Sequence, residues 1–327
     1  MNVHYLHPPS EPGLLSQFID DLSSCIQLTT GEDNPARFDC DVLIEGRPPD
    51  ELLAGNPHLK AVVIPFAGLP PVTRERCQRY PNLSVYNLHH NAIITAEMAI
   101  TLMLSAARFV VRYDRGIRNH DWSLRYQDER PSLLLHGKKV VLLGYGAIGK
   151  HVARVCLALG MQVEAIKRHV VTEGEAFDGI PCFSTAQLEQ RLVDAAVMMV
   201  VCPLTDETRG LIGEKQLQMM PAGGVLVNVG RAEIVDQEAL YRVLSSGHLA
   251  AAGLDVWYNY PETKTDRVNT KPADFPFWEM DQVILSPHRG GHTQETELLR
   301  MQHLAVLLNQ LAEGQDLIQP INLSLGY

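Results

Sequence analysis

Short apolar runs alternate along the chain with stretches whose apolar residues fall at helical spacing. In the first third, strands are expected at 3–6, 41–44, 61–65 and 84–87. A helix is expected at 14–22, with helical patches near Glu51 and at 73–80. A long Ala-, Met- and Leu-rich pattern over 93–118, free of proline, predicts one continuous helix. Residues 121–135, with Trp122, charged side chains and Pro131, read as a linker. The second half continues the alternation. Strands are expected at 195–201, 224–228, 251–256 and 283–286. Helices are expected at 214–220 (stopped by Pro221), at 237–246 (capped by Asp236 and ended by Gly247) and at 293–313. Residues 316–327 carry little pattern. Strands alternating with helices predict parallel sheets with helices on their faces.

The most informative stretch runs from Lys138 to Arg168. The apolar run 140–143 reads as a buried parallel strand. Gly144-x-Gly146-x-x-Gly149 follows, and then Ile148, Val152, Val155, Cys156 and Leu159 fall at helical spacing. Gly160 stops that helix, and 162–166 reads as a second strand. In this strand–turn–helix–strand setting each glycine has a role. Gly144 permits the tight turn, Gly146 lets the backbone approach a pyrophosphate, and Gly149 lets helix and strand pack closely. The helix start at Ala147 and Ile148 offers N–H groups and a positive dipole end to the phosphates. A dinucleotide site is therefore expected here.

The end of the second strand bears on which dinucleotide. An NAD site usually places an acidic residue there to bind the ribose hydroxyls. This chain has Lys167, Arg168 and His169. Two cations suit a 2′-phosphate, so NADP(H) is favoured over NAD(H). The competing reading is two solvated strand-end residues.

Whole-chain properties set the context. A length of 327 residues suits two domains, and 46% hydrophobic with 20% charged residues describes a globular protein with an ample core. A net charge of −10 and a pI near 5.7 argue against nucleic-acid or anionic-membrane partners. The six cysteines lie far apart without a CxxC pair, and several sit in apolar runs, as expected of core residues in a reducing compartment. The N-terminal stretch lacks the features of a signal peptide, and the longest apolar run is too short to span a bilayer. A cytoplasmic protein is expected.

Three loops that follow strands in the second half carry candidate chemistry. They are Cys202-Pro203-Leu204-Thr205, Asn228-Val229-Gly230-Arg231 and Ser286-Pro287-His288-Arg289-Gly290-Gly291. Among their side chains are the guanidinium of Arg231 and the imidazole of His288. A carboxylate substrate needs a guanidinium clamp, and reduction of a ketone needs a proton donor, for which histidine suits neutral pH. Taken singly, each has a plainer reading, a structural histidine or a surface arginine. The pair His288 and His292 lacks a third ligand and a regular helix, so no metal site is expected. His89 and His90 adjoin Asn91, with cleft-facing and surface placements both open.

The motifs LGYGAIGKHVA, CPLTDETRGLIG, LVNVGRAEIVDQEAL, AAGLDVW and VILSPHRGGHT occur in an order and spacing that resemble the D-2-hydroxyacid dehydrogenase family over essentially the whole chain. The resemblance implies an NAD(P)-dependent 2-hydroxyacid dehydrogenase or 2-keto acid reductase built of two doubly wound parallel-sheet α/β domains. A flavodoxin-like substrate domain (1–103 and 294–327) would hold an inserted Rossmann nucleotide domain (104–293). Arg231 would clamp the substrate carboxylate and carbonyl, and His288 would be the general acid or base. Ala67, Gly68 and Asn91 would bind substrate. Asp255 would lie by the nicotinamide, whose ring Cys202 and Pro203 would line. A homodimer is implied, and Phe66, Leu69 and Trp257 are candidates for shaping the substrate pocket.

One departure stands out. The family normally carries a catalytic glutamate just before a proline, shortly after the LDV stretch. Here AGLDVWYNYPETK puts Tyr260 before Pro261. A tyrosine can hydrogen-bond a histidine but brings no charge near neutral pH. Three readings follow: an enzyme whose histidine has a lower pKa, a formate-dehydrogenase-like branch, or a nucleotide-sensing scaffold that has lost catalysis.

Overall fold

A computed structural model describes all residues except 128, 316–318 and 327, so part of the patternless C-terminal stretch lies outside the described residues. By contacts the chain divides into two compact units, Met1–Asn91 with His292–Tyr327, and Ala92–Gly291.

The first unit has five parallel strands, β1 (Asn2–Tyr5), β2 (Gln27–Thr30), β3 (Val42–Ile44), β4 (Ala61–Ile64) and β5 (Ser84–Asn87), in the order β2-β1-β3-β4-β5. This is the flavodoxin-like order. Helices α1 (Pro12–Asp20), α2 (Asp50–Ala54) and α3 (Pro71–Cys77) make the crossovers. On one face, Met301, Leu304, Leu307 and Leu308 of the last helix pack with Val3, Tyr5, Phe18 and Ile44. On the other, Leu43, Val62 and Ile64 meet Leu52, Leu53 and Cys77. Both faces are covered, which is why β3 and β4 read as unbroken apolar runs.

The second unit begins with α4 (Ala92–Ala107), α5 (Val110–Arg118) and the short α6 (Ser123–Tyr126). Its sheet comprises β6 (Lys139–Leu143), β7 (Gln162–Ile166), β8 (Glu175–Phe177), β9 (Ile180–Phe183), β10 (Ala195–Val200), β11 (Gly224–Asn228), β12 (Leu249–Leu254) and β13 (Val283–Leu285). The spatial order is β13-β12-β11-β10-β6-β7-β9-β8, parallel except for the β8–β9 pair. Helices α7 (Ala147–Ala158), α8 (Leu188–Leu192), α9 (Glu214–Met219) and α10 (Gln237–Ser245) connect the strands. The final helix of the chain, α11 (Thr296–Ala312), belongs to the first unit. Both units are α/β with parallel sheets, as expected.

The structure corrects the expectation of one continuous helix over 93–118. The chain turns between α4 and α5 at Phe109, whose φ of 50° is left-handed. The Phe109 ring is buried and meets Tyr113 edge-on, so core packing holds a conformation that local propensity disfavours. Three strands were not expected. β2 is an edge strand with a single aliphatic residue, and β8 and β9 form a hairpin. The hairpin's Asp178-Gly179 turn, with both φ positive, is the one local signal that announces it. Among the described residues no single helix is long and apolar enough to cross a membrane. The α4–α5 pair passes that test jointly by length and composition, but it is bent by 64°.

Candidate active site

Parallel pairing sends the loops after β6, β7, β10, β11, β12 and β13 out of one edge of the second unit's sheet. The connection reverses direction between β6 and β10, which flank each other. In an open α/β sheet the ligand crevice lies at that switch point. The geometry there fits a dinucleotide. Gly144 has φ 114°, and a Cβ on it would come within 2.9 Å of Cys202 Cβ on the loop after β10. A Cβ on Gly149 would strike the carbonyl oxygen of Gly144 at 2.5 Å, so only glycine lets α7 start this close to the turn. Gly146 is the opposite case. It is exposed, and a Cβ there meets nothing within 4 Å, leaving room for a phosphate against the backbone. The first amides of α7, at Ala147 and Ile148, lack intrahelical acceptors and face that space with the positive end of the dipole. Burial pushes the Cys202 thiol up to about 12, so it stays a neutral apolar wall. Pro203 beside it is exposed. Its carbonyl accepts from the Thr208 hydroxyl, which pins the loop.

Lys167 and Arg168 follow β7 directly. The Lys167 ammonium lies 3.9 Å from the centroid of the Phe177 ring on β8, a cation–π contact. Arg168 pairs with Glu207 at 2.7 Å and reaches the Thr205 hydroxyl at 3.4 Å, both on the loop after β10. The cations expected from the sequence are thus present, and a carboxylate reaches one of them from another loop.

Arg231 leaves β11 as an extended residue. Asn228 braces its loop, accepting from Gly230 N–H and donating to the Arg231 carbonyl, both at 3.0 Å. The guanidinium donates to the Gly230 carbonyl at 2.7 Å and is part-buried. Asp255, after β12, is 2% exposed. Its carboxylate accepts from the Ser286 hydroxyl at 2.5 Å and from the Arg289 and Gly290 amides at 2.9 Å each. A Cβ on Gly290 would collide with that carboxylate at 2.5 Å. Between these anchors sits His288, with a left-handed φ of 58°, a strained conformation for a non-glycine residue. Trp257 adds a further tie: its buried indole N–H donates to the Ser286 carbonyl at 2.8 Å. Its bulk is spent on the loop that carries His288.

Tyr260 meets His288 through its hydroxyl. Tyr260 Oη lies 2.8 Å from His288 Nδ1 and accepts from the Trp257 amide at 3.1 Å. The two rings are tilted by 52°, so the contact runs through the hydroxyl and the rings are not stacked.

In the first unit, Ala67 and Gly68 lie in the loop after β4, and Asn91 follows β5, so all three occupy the carboxyl edge of that sheet. Asn87 donates its amide to the Ala67 carbonyl, and the Phe66 ring lies over Gly46. Leu69 and Phe66 pack against the core beneath. His89 is exposed. His90 is buried, and burial first, then the positive charge of Arg300 and neighbouring imidazoles, pulls it down to about 4. His90 is therefore neutral at physiological pH.

Residues 100–290 match the family described as D-isomer specific 2-hydroxyacid dehydrogenase, NAD binding domain. The glyoxylate reductase of Aeropyrum pernix is 33% identical over 286 residues, 85% of this chain and 78% of that protein. The chain belongs to the D-isomer specific 2-hydroxyacid dehydrogenase family. It is a nicotinamide-dependent oxidoreductase. The D-3-phosphoglycerate dehydrogenase of Archaeoglobus fulgidus is 34% identical over 233 residues, 71% of this chain but 41% of that longer protein. Among solved structures, a D-isomer specific 2-hydroxyacid dehydrogenase from Xanthobacter autotrophicus Py2, crystallised with NADPH and MES, superposes with a TM-score of 0.79. It is 22% identical and covers 100% of this chain and 99% of that one, which establishes the shared fold.

Two features of this dehydrogenase had no signal in its sequence. Glu207 and Phe177 engage the two cations after β7 from separate segments. Ser286 and the Arg289 and Gly290 amides converge on Asp255. The second feature gives a stability prediction. Asp255→Ala leaves buried donors without an acceptor, at about 1–3 kcal/mol each. Thermal denaturation should show a melting temperature lower by several degrees, and a melting temperature equal to that of wild type would refute the anchoring role.

Proposed function

We propose that this dehydrogenase interconverts a small 2-keto acid and its 2-hydroxy acid, with Arg231 as the carboxylate clamp and His288 as the acid/base. The observation that carries the reading is the placement of Arg231, Asp255 and His288 after the neighbouring strands β11, β12 and β13, in a chain of this family. A bound nicotinamide supplies hydride to C2 of the keto acid or takes it from the hydroxy acid. The Arg231 fork holds the carboxylate and orients the carbonyl. The His288 Nε2 gives a proton to the carbonyl oxygen in reduction and takes it back in oxidation. Asp255 keeps the His288 loop in its strained conformation. The same reading assigns substrate binding to Ala67, Gly68 and Asn91, making theirs the substrate domain. It assigns the cofactor to Gly144, Gly146, Ala147, Ile148, Gly149, Cys202 and Pro203, making the second unit the dinucleotide domain. The hydrogen bond between Tyr260 and His288 favours a working enzyme over a catalytically silent scaffold.

NADP(H) is the proposed cofactor. Lys167 and Arg168 stand where a 2′-phosphate would need cations. Glu207, 67% exposed, can yield Arg168 at small cost, because an exposed ion pair contributes about 0–1 kcal/mol. Arg168→Ala should weaken NADPH binding about tenfold or more, since a hydrogen bond to a charged group contributes about 1.5–3 kcal/mol. NADH binding should change little. Equal losses for both cofactors would place Arg168 away from the 2′-phosphate.

A cytoplasmic setting is supported by six unpaired cysteines, four of them buried. A homodimer is supported by exposed Ile93, Val110 and Ile117 on α4 and α5. The test of the central reading is a fluorescence titration with NADPH and NADH, then turnover with glyoxylate, hydroxypyruvate, pyruvate and 2-ketoisocaproate. Cofactor oxidation dependent on a keto acid is expected. Cofactor binding without turnover on any of them would overturn the reading.

A further inference from the structure

We infer that Phe177 is a positioning residue for NADP(H): its ring holds the Lys167 ammonium ready for a 2′-phosphate without neutralising it. The inference rests on the reading of Lys167 and Arg168 as the cations for that phosphate.

Sheet register brings the ring to the cation. β9 pairs in parallel with β7, matching Ala165 with Cys182 and Ile166 with Phe183. The Lys167 amide extends that pairing, donating to the Phe183 carbonyl at 2.8 Å. The turn at Asp178 and Gly179 joins β8 antiparallel to β9, with Phe177 opposite Ile180. Phe177 is half-buried and packs on the core that contains Val163, Ala165 and Cys182. Apolar contacts thus anchor the ring, and the Lys167 ammonium lies 3.9 Å from its centroid.

The two cations after β7 are held by different means. Arg168 is paired with the Glu207 carboxylate at 2.7 Å, which offsets its charge. An aromatic face attracts a cation through its quadrupole and carries no net charge. An ammonium has three donors, and the ring engages one side of it, so N–H groups remain for an anionic oxygen. The contact also settles the flexible four-carbon stem before a ligand arrives, which lowers the ordering cost of binding. The carboxylate of the hairpin turn is directed mainly at α7. Asp178 is bonded to Lys150 at 2.9 Å and acts more weakly on Lys167 and Arg154.

Adenosine 2′,5′-bisphosphate and adenosine 5′-monophosphate differ by the 2′-phosphate alone, so the ratio of their affinities reads the site. Phe177→Leu keeps an apolar side chain but removes the aromatic face. Affinity for the bisphosphate should fall about three- to tenfold, with affinity for the monophosphate little changed. Phe177→Tyr keeps the face and should keep the wild-type ratio. Lys167→Met removes the ammonium and should lose at least as much as Phe177→Leu. In the Lys167→Met background, Phe177→Leu should change the ratio no further, because the ring acts through the ammonium. A residue that only stabilised the hairpin would weaken both nucleotides alike.

The experiment is calorimetric titration of wild type, the single variants and the double variant with both nucleotides. Neither nucleotide carries a nicotinamide, so turnover does not enter. Thermal denaturation checks that each protein is folded, and Phe177→Met takes the place of Phe177→Leu if leucine unfolds the hairpin. A wild-type ratio in Phe177→Leu, a lost ratio in Phe177→Tyr, or additive losses in the double variant would each overturn the inference while leaving the NADP(H) reading in place. A wild type that binds the bisphosphate no tighter than the monophosphate would remove the NADP(H) reading, and the inference with it.

Discussion

Replacing His288 with asparagine is expected to lower kcat for keto-acid reduction by about 10²–10⁴-fold, the contribution general acid–base catalysis ordinarily makes. Asparagine is the informative substitution because His288 has a φ of 58°, a region that asparagine tolerates better than most residues. The loop can then keep its path, held by Asp255 on the Ser286 hydroxyl and the Arg289 and Gly290 amides. An alanine would confound loss of the imidazole with relaxation of the loop. Cofactor binding, measured by fluorescence, should change little, since the glycine turn after β6 is untouched. A variant that retains wild-type kcat would remove His288 from the chemistry, and one that loses NADPH binding and thermal stability together would show a structural role instead.

The second large effect is expected at Arg231. On the proposed reading Arg231→Ala removes the carboxylate clamp, and kcat/KM should fall by about 10²–10³-fold, the loss typical of one donor aimed at developing charge. Arg231→Lys keeps the charge but not the planar fork, so it should recover only part of that loss. The Asn228 brace acts on the backbone of Gly230 and Arg231 and survives in both variants, and the alanine variant loses only the guanidinium's own bond to the Gly230 carbonyl. Melting temperatures of both variants should stay near wild type. Full activity in the alanine variant would send the search for the carboxylate clamp elsewhere.

What could be read from the chain, and what could not, divides by the range over which each feature is encoded. Strands β3, β4, β6, β10 and β11 are buried on both faces, so they appear as apolar runs wherever the chain is read. The glycine turn is equally local, because the tight turn at Gly144 and the contact of Gly149 with Gly144 involve residues five apart or closer. Arg231 and His288 stand out because each lies three residues past the end of an apolar strand, β11 and β13. The break at Phe109 is different. Nothing within the helical pattern marks it, and the burial of one ring decides it. β2 has too little apolar surface to announce an edge strand, and its pairing with β1 is a matter of the finished sheet.

The same division runs through the site. The sequence determined the family, the order of the loops and the residue types each loop brings to the sheet edge. It also showed that a tyrosine, not a carboxylate, precedes Pro261. Only the folded chain decided what those residues touch. The register of β12 against β13 brings the Tyr260 hydroxyl to His288 across 28 residues of chain and sets Asp255 under the loop amides. The adjacency of β6 and β10 brings Glu207 from its own loop onto Arg168. Periodicity and motifs are properties of a short window of chain. A hydrogen bond between side chains on different strands depends on the register of the intervening sheet, which is settled only when the whole core packs.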